Sequence, residues 1–288
     1  MELINQLKNW YHQIDQNIFH RSALALARKM YFIWIFVNYL ILATEANFFY
    51  KADNYITLKE FDKMNAFEKS INILNSIDYN FLYPYFILGI LIFSTFGIFD
   101  KIIQHQQRMI AIVTYFLMIN LDNRAYVILD GGNNLVHLIG FYLMFVDTQN
   151  IKNTKSILIT NLASLMIKIQ ICFVYATAGL LKVMGPLWNK GIALYYTMGV
   201  PEYGSDQLFK IFSQFPVLVV LFTFGTVIFQ ISFPYLIWNK TFRPLVILIG
   251  TSLHFSISFV MGLFMFGAAM CMSYFFFKTD NTGIVYEN

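Results

Sequence analysis

Eight apolar runs recur along the chain, and they constrain its fold more than any other feature. They cover Met30 to Tyr50, Phe81 to Phe99, Met109 to Leu121, Leu135 to Val146, Ile157 to Leu181, Ile211 to Trp238, Pro244 to Met261 and Leu263 to Phe277. A helix needs about 20 predominantly apolar residues to cross a bilayer core, and backbone inside hydrocarbon must satisfy its own hydrogen bonds. Runs of this kind predict an all-α fold, a polytopic transmembrane helix bundle. The third and fourth runs are short for full spans and the last two share one long tract, so the expected count is seven or eight. Gly262 and Gly267 mark where that tract would fold into a hairpin. Composition points the same way: charged residues make up 12% of the 288 positions, against about 25% in soluble domains. That excludes a soluble globular protein, a disordered chain and a nucleic-acid binder. Two cysteines exclude a disulfide framework.

Residues 1–20 are not expected to be a cleavable signal, because Glu2 and Asp15 interrupt them and no compact apolar core precedes a small-residue cleavage site. Leu3, Ile4, Leu7, Trp10, Tyr11, Ile14 and Ile18 recur instead at helical spacing. They predict an amphipathic helix, lying on the membrane surface or packed on the protein's own cytoplasmic face. Residues 21–278 are expected to form one transmembrane domain, followed by a short tail, 279–288. The scarce charge is sorted along the chain. With the N-terminus inside, the cytoplasmic segments sum to +5, the outer segments to −2, and Lys168 within a span supplies the remaining +1 of the +4 total. Excess Lys and Arg on one side marks the cytoplasmic face, so both termini are expected there. No internal repeat or second soluble domain is visible.

Ionisable groups inside spans cost about 2.5–3.5 kcal/mol each on insertion scales and mark functional sites by default. Lys168, Tyr175, Gly179 and Lys182 stand at steps of seven, four and three, which places them on one face of a helix. Lys182 is either a terminal lysine snorkelling to the headgroups or a candidate base, since a desolvated lysine can serve near neutral pH. Lys168 lies deeper and is a candidate binding residue, with Glu45 as a candidate partner. Asp130, in Asp130-Gly131-Gly132-Asn133-Asn134, belongs either to a tight re-entry loop or to the outer site. His137 and His254 each sit in or near spans and read as histidines satisfied by a neighbouring helix, with His254 also a candidate catalytic residue, and the two cysteines are expected to be small core residues. No His or Cys pair has metal-ligand spacing, and no hydrolase, ATPase or zinc-protease motif is present.

The run Ile169-Gln170-Ile171 … Tyr175-Ala176-Thr177-Ala178-Gly179-Leu180-Leu181-Lys182 … Trp188-Asn189-Lys190-Gly191 … Tyr195-Tyr196 resembles the signature of the horizontally transferred transmembrane (HTTM) domain, the membrane part of vitamin K-dependent gamma-carboxylase. Arg21 to Arg28, the Asp130-Gly131-Gly132-Asn133 loop and His254-Phe255 … Gly262-Leu263-Phe264 are similar to that family in the same order. The chain looks most like the short members, the sporulation-delaying-protein B group that helps mature a secreted bacterial peptide toxin. The resemblance implies a bacterial inner-membrane location, a base at Lys182, and Trp188 and Tyr195 among the binding residues. It also implies a quinol or vitamin K-like lipid as cofactor, and a small secreted precursor peptide and an accessory membrane protein as partners. Within these 288 residues no large soluble outer domain of the kind with which the carboxylase engages its substrate is expected, and carboxylation of a propeptide-bearing substrate is not expected either. Three functions follow as alternatives: peptide maturation, a stand-alone quinol-dependent redox or carboxylase-like enzyme, and a transporter or structural subunit. No broken-helix pair or inverted repeat favours the third.

Overall fold

The computed structural model describes residues 14–50, 79–99, 106–149, 153–204 and 206–280. These form helices and short 3-10 turns, with no strand among them. Five helices are long and apolar enough to cross a membrane: α1 (Arg21–Thr44), α3 within Phe81–Ile98, α6 (Thr154–Met184), α10 (Pro216–Leu236) and α11 (Arg243–Val260). The short helix α2 (Ala46–Tyr50) follows α1, and α3 as a whole runs Tyr79–Ile98.

The remaining apolar runs are helical as well but fall short of that standard. α4 (Gln107–Arg124) has the length, about 27 Å by helical rise, yet polar residues crowd both of its ends. α5 (Gly131–Leu143) is only 13 residues long. The last run is shared by α12 (Phe264–Ser273) and a 3-10 turn, Tyr274–Phe277, after a break at Gly262, whose φ is +71°. The smaller helices α7 (Pro186–Asn189), α8 (Ala193–Met198) and α9 (Asp206–Gln214) lie between α6 and α10. Most of the amphipathic helix expected over 1–20 lies outside the described residues. Residues 14–20 form turns rather than helix, and Ile14 and Ile18 are buried there.

The chain divides into two compact units, Met1–Ile167 with Lys278–Asn288, and Lys168–Phe277, so the boundary falls inside α6. In the first unit α1 packs on α3, α3 on α4 and α4 on α5. Glycine permits the closest approach: a Cβ at Gly140 of α5 would overlap the hydroxyl oxygen of Tyr31 on α1. One end of this unit is held by polar side chains. The buried Arg28 donates from Nη2 to the Gln107 carbonyl at 3.0 Å and lies 4.8 Å over the Phe32 ring. The Oε1 of Gln107 accepts from the backbone N–H and the hydroxyl of Thr148. Asn161 on α6 clamps the turn ahead of α1, donating to the carbonyls of Ile14 and Asn17 and accepting from Phe19 N–H. In the second unit α8 packs on α9 and α10, α10 on α11, and α11 on α12.

Candidate functional site

The second unit gathers most of the residues singled out by sequence. Tyr175 points from α6 into its core, 1% exposed, with its ring stacked on Phe233 of α10 at 3.9 Å and edge-on to Phe229 at 5.8 Å. A buried phenol needs a hydrogen-bond partner, and this one has two. Its oxygen lies 2.7 Å from Nε2 of His254 on α11 and 2.5 Å from the hydroxyl of Tyr274. His254 is 2% exposed, and its ring sits beside Phe266. Among the described residues its buried Nδ1 meets no hydrogen-bond partner, and neither does Oε1 of Gln230 on α10. The site core is therefore an imidazole and two phenols joined in a row inside an aromatic shell.

Gly179, one turn beyond Tyr175, faces α10. A Cβ there would stand 2.9 Å from Cγ1 of Ile231 and 3.2 Å from its backbone nitrogen, so glycine at this position lets α6 and α10 meet. Lys182 follows at the end of α6, partly buried, with Nζ 5.0 Å over the Trp188 ring. A cation over an indole face is held by the ring quadrupole, and Trp188 comes close because Gly185 leaves room for its Cδ1. Tyr195 contacts the rings of Tyr196 and Phe209. Lys168 is partly buried and makes no ion pair among the described residues. Tyr175 and His254 are thus brought together, and so are Lys182 and Trp188, within this unit.

Asp130 and Glu45 belong to the first unit. Asp130 is the N-cap of α5: its Oδ1 accepts from Gly132 and Asn133 N–H at 2.7 and 3.0 Å, while Asn133 Oδ1 accepts from Asp130 N–H. This reciprocal capping box accounts for the glycine-asparagine loop. Glu45 is the C-cap of α1 and is exposed. A second polar cluster of this unit was not singled out by sequence. Asp122, 2% exposed at the end of α4, accepts from the Tyr39 hydroxyl on α1 at 2.6 Å, and its other oxygen lies 2.6 Å from Nε2 of His137 on α5.

Tyr274 and Gln230 of the second unit also went unmarked. The readable signal for each was an apolar neighbourhood in which a hydroxyl, amide or carboxylate is costly unless paired. Among the described residues no group of three or more His, Cys, Asp or Glu side chains could hold a metal ion. The described residues are all helical, and their five long apolar helices mark an integral membrane protein. No protein-family model, curated protein or solved structure matches the chain.

Proposed function

We propose that the chain is a membrane protein of the HTTM family that serves the maturation or modification of a small secreted, toxin-like peptide. Its site is the outer-face region around Lys182, with an accessory membrane protein as partner. In this reading it crosses a bacterial inner membrane seven or eight times and keeps both termini in the cytoplasm. The observation that carries the reading is the distribution of polar groups on one face of α6. The Lys182 amine over Trp188 lies seven residues beyond Tyr175, whose hydroxyl is bound to His254, a separation of about 10 Å by helical rise. An amine in its neutral form accepts a proton, a neutral imidazole does so at the ring nitrogen that carries no hydrogen, and a phenol hands one on. Groups of these three kinds are costly in an apolar unit unless paired, and ionisable ones within spans are functional candidates by default.

Replacing Lys182 by Met in the host is the direct test. It is expected to abolish a secreted peptide, or a mass change on it, while the protein still reaches the membrane. An unchanged secreted peptidome overturns the reading.

A second reading, a stand-alone enzyme using a quinol or vitamin K-like lipid, is favoured by the aromatic enclosure of Tyr175 and His254 by Phe229, Phe233 and Phe266. Flat apolar rings of this kind suit a ring-shaped, lipid-soluble ligand. It requires that quinone co-purify with the protein, detectable by mass spectrometry, and that Lys182→Met remove turnover without unfolding the chain.

A further inference from the structure

Charge is unevenly placed in the second unit, and one group of cations stands without a counter-charge. Residues 168–277 include two carboxylates, Glu202 and Asp206, and both belong to the segment that joins α6 to the start of α10. The 21 residues of α10 put its two ends about 30 Å apart by helical rise. At the far end lie Lys240, in the turn 237–242, and Arg243, the first residue of α11. Lys168 of α6 belongs to that end as well. Tyr175 stacks on Phe233 of α10, and one turn back along α6 Trp238 lies against Cys172. Lys168, a further turn back on the same face, comes near enough to Arg243 for the two like charges to act on each other. None of the three cations makes an ion pair among the described residues. Arg243 is oriented from its own turn: Nε donates to the Ile237 carbonyl at 3.1 Å and Nη2 to that of Trp238 at 3.3 Å, while Nη1 meets no partner among the described residues.

We infer that Lys168, Lys240 and Arg243 hold the phosphate of an anionic phospholipid of the leaflet at that end. Like charges gathered by a fold repel one another. Lys168 and Arg243 are partly buried, so salt screens them less than it would on an open surface. A phosphate oxyanion relieves that repulsion. The guanidinium fork matches its oxygens and lysine adds a mobile point charge, as in basic pockets between spanning helices that take lipid headgroups. Two features assign the phosphate to a lipid rather than to solution. The turn between two long apolar helices carries Trp238, 42% exposed, and tryptophan is enriched at headgroup depth. Beyond the cations α11 exposes Leu245 and Leu248, an apolar surface for an acyl chain. Lys168 then sits at the membrane boundary rather than deep within the span, where its ammonium would be costly. The inference goes beyond the proposed function and does not rest on it, since Lys182 lies about 21 Å away along α6 by helical rise.

The test is native mass spectrometry of the full chain released from detergent micelles, with dioleoylphosphatidylglycerol or dioleoylphosphatidylcholine added at equal concentration. Both lipids carry a phosphodiester, but choline brings its own cation. The parent protein is expected to retain phosphatidylglycerol at several-fold higher occupancy. Lys168→Met is expected to erase that preference, Lys168→Arg to keep it and Lys240→Gln to weaken it. Lys210→Gln removes an exposed cation of α9, beyond the other end of α10, and is expected to leave the preference unchanged. Equal retention of the two lipids by the parent, a parent-like preference in Lys168→Met, or an equal loss in Lys210→Gln overturns the site. Should Lys168→Met not fold, Lys240→Gln decides, and an undiminished preference there overturns it. Inorganic phosphate at millimolar concentration separates the two sources of the anion. Phosphatidylglycerol retained in its presence supports the lipid; phosphatidylglycerol displaced by it would assign the cations to a soluble phosphate and overturn the lipid.

Discussion

Asp122 and His137 meet 2.6 Å apart, carboxylate Oδ2 to imidazole Nε2, on the helices that flank the Asp130 loop. The other carboxylate oxygen accepts the Tyr39 hydroxyl at 2.6 Å, so one buried side chain ties α1, α4 and α5. Replacing Asp122 by Ala strands the buried Tyr39 hydroxyl and unpairs the partly exposed His137 imidazole, and an unpaired buried donor costs about 1–3 kcal/mol. The expected destabilisation is about 3 kcal/mol, against about 1 kcal/mol for Tyr39→Phe, which removes one donor and leaves nothing stranded but a carboxylate oxygen. Thermal unfolding in micelles compares the two. A loss from Asp122→Ala no larger than that from Tyr39→Phe would show that the carboxylate is not the tie.

The extent to which this architecture could be read in the sequence differs from helix to helix. The long spans declare themselves because lipid demands uninterrupted apolar length, and α6, α10 and α11 lie where their runs predict. α4 is harder, because its span is shortened by Asn120, Asp122 and Arg124, which are nonetheless buried. Pattern reading scores such residues as exposed, and only the fold shows that Tyr39 and His137 make burial of Asp122 tolerable. The site divides in the same way. The periodicity of α6 aligned Tyr175, Gly179 and Lys182 without contact information. It could not show that the Tyr175 hydroxyl reaches His254, 79 positions later, or that Tyr274 completes the row. Asp130 shows the converse, a residue conspicuous in sequence whose capping box explains its place.

Asp280 supplies a second expectation. Its carboxylate takes the N–H groups of Ser22 and Ala23 at 3.0 and 2.8 Å, together with the Ser22 hydroxyl, and so caps α1 from the far end of the chain. Partial burial works to raise the Asp280 carboxyl, yet the hydrogen bonds from Ser22 and Ala23, with nearby His20, hold it below its ordinary value. A carboxyl lowered by folding contributes stability that is present above its unfolded value and lost as pH falls through its folded one. The protection of the Ser22 and Ala23 amides against hydrogen exchange is therefore expected to weaken below the ordinary carboxylate range. Asp280→Ala is expected to abolish that acid dependence and to cost about 0.5 kcal/mol, the low end for a helix cap because the group is only partly buried and solvent screens it. Unaltered acid dependence in Asp280→Ala would assign it to another group.

Asn161 holds the turn at 14–19 by three hydrogen bonds to backbone, from Nδ2 to Ile14 and Asn17 and from Phe19 to Oδ1. Leu has the same branched side-chain skeleton, is larger, and makes none of these bonds. Asn161→Leu is expected to free the turn at a cost of about 2 kcal/mol, with buried backbone groups left unpaired. Limited proteolysis is expected to cut near residues 14–19 several-fold faster than in the parent, with α6 still intact. Equal cutting rates would mean that the turn is held by the burial of Ile14 and Ile18 alone.

Gly250 sets the last expectation, because the phenol of Tyr274 occupies the space a side chain would need. A Cβ at position 250 would overlap the Tyr274 hydroxyl oxygen and stand 2.7 Å from its Cζ and 2.9 Å from Phe229 Cζ. Overpacking of this kind costs about 1–3 kcal/mol. The displaced hydroxyl would also leave Tyr175, so Gly250→Ala is expected both to lower the unfolding temperature and to shift the 15N signal of the His254 ring nitrogens. Removing the hydroxyl removes the nearest clash and leaves the ring. Tyr274→Phe in the Gly250→Ala background is therefore expected to recover part of the lost stability, a coupling a double-mutant cycle measures directly. It is not expected to recover the His254 signal, since a phenyl ring has no hydroxyl to bond Tyr175. Strict additivity of the two substitutions would place the cost of Gly250→Ala at Phe229 instead.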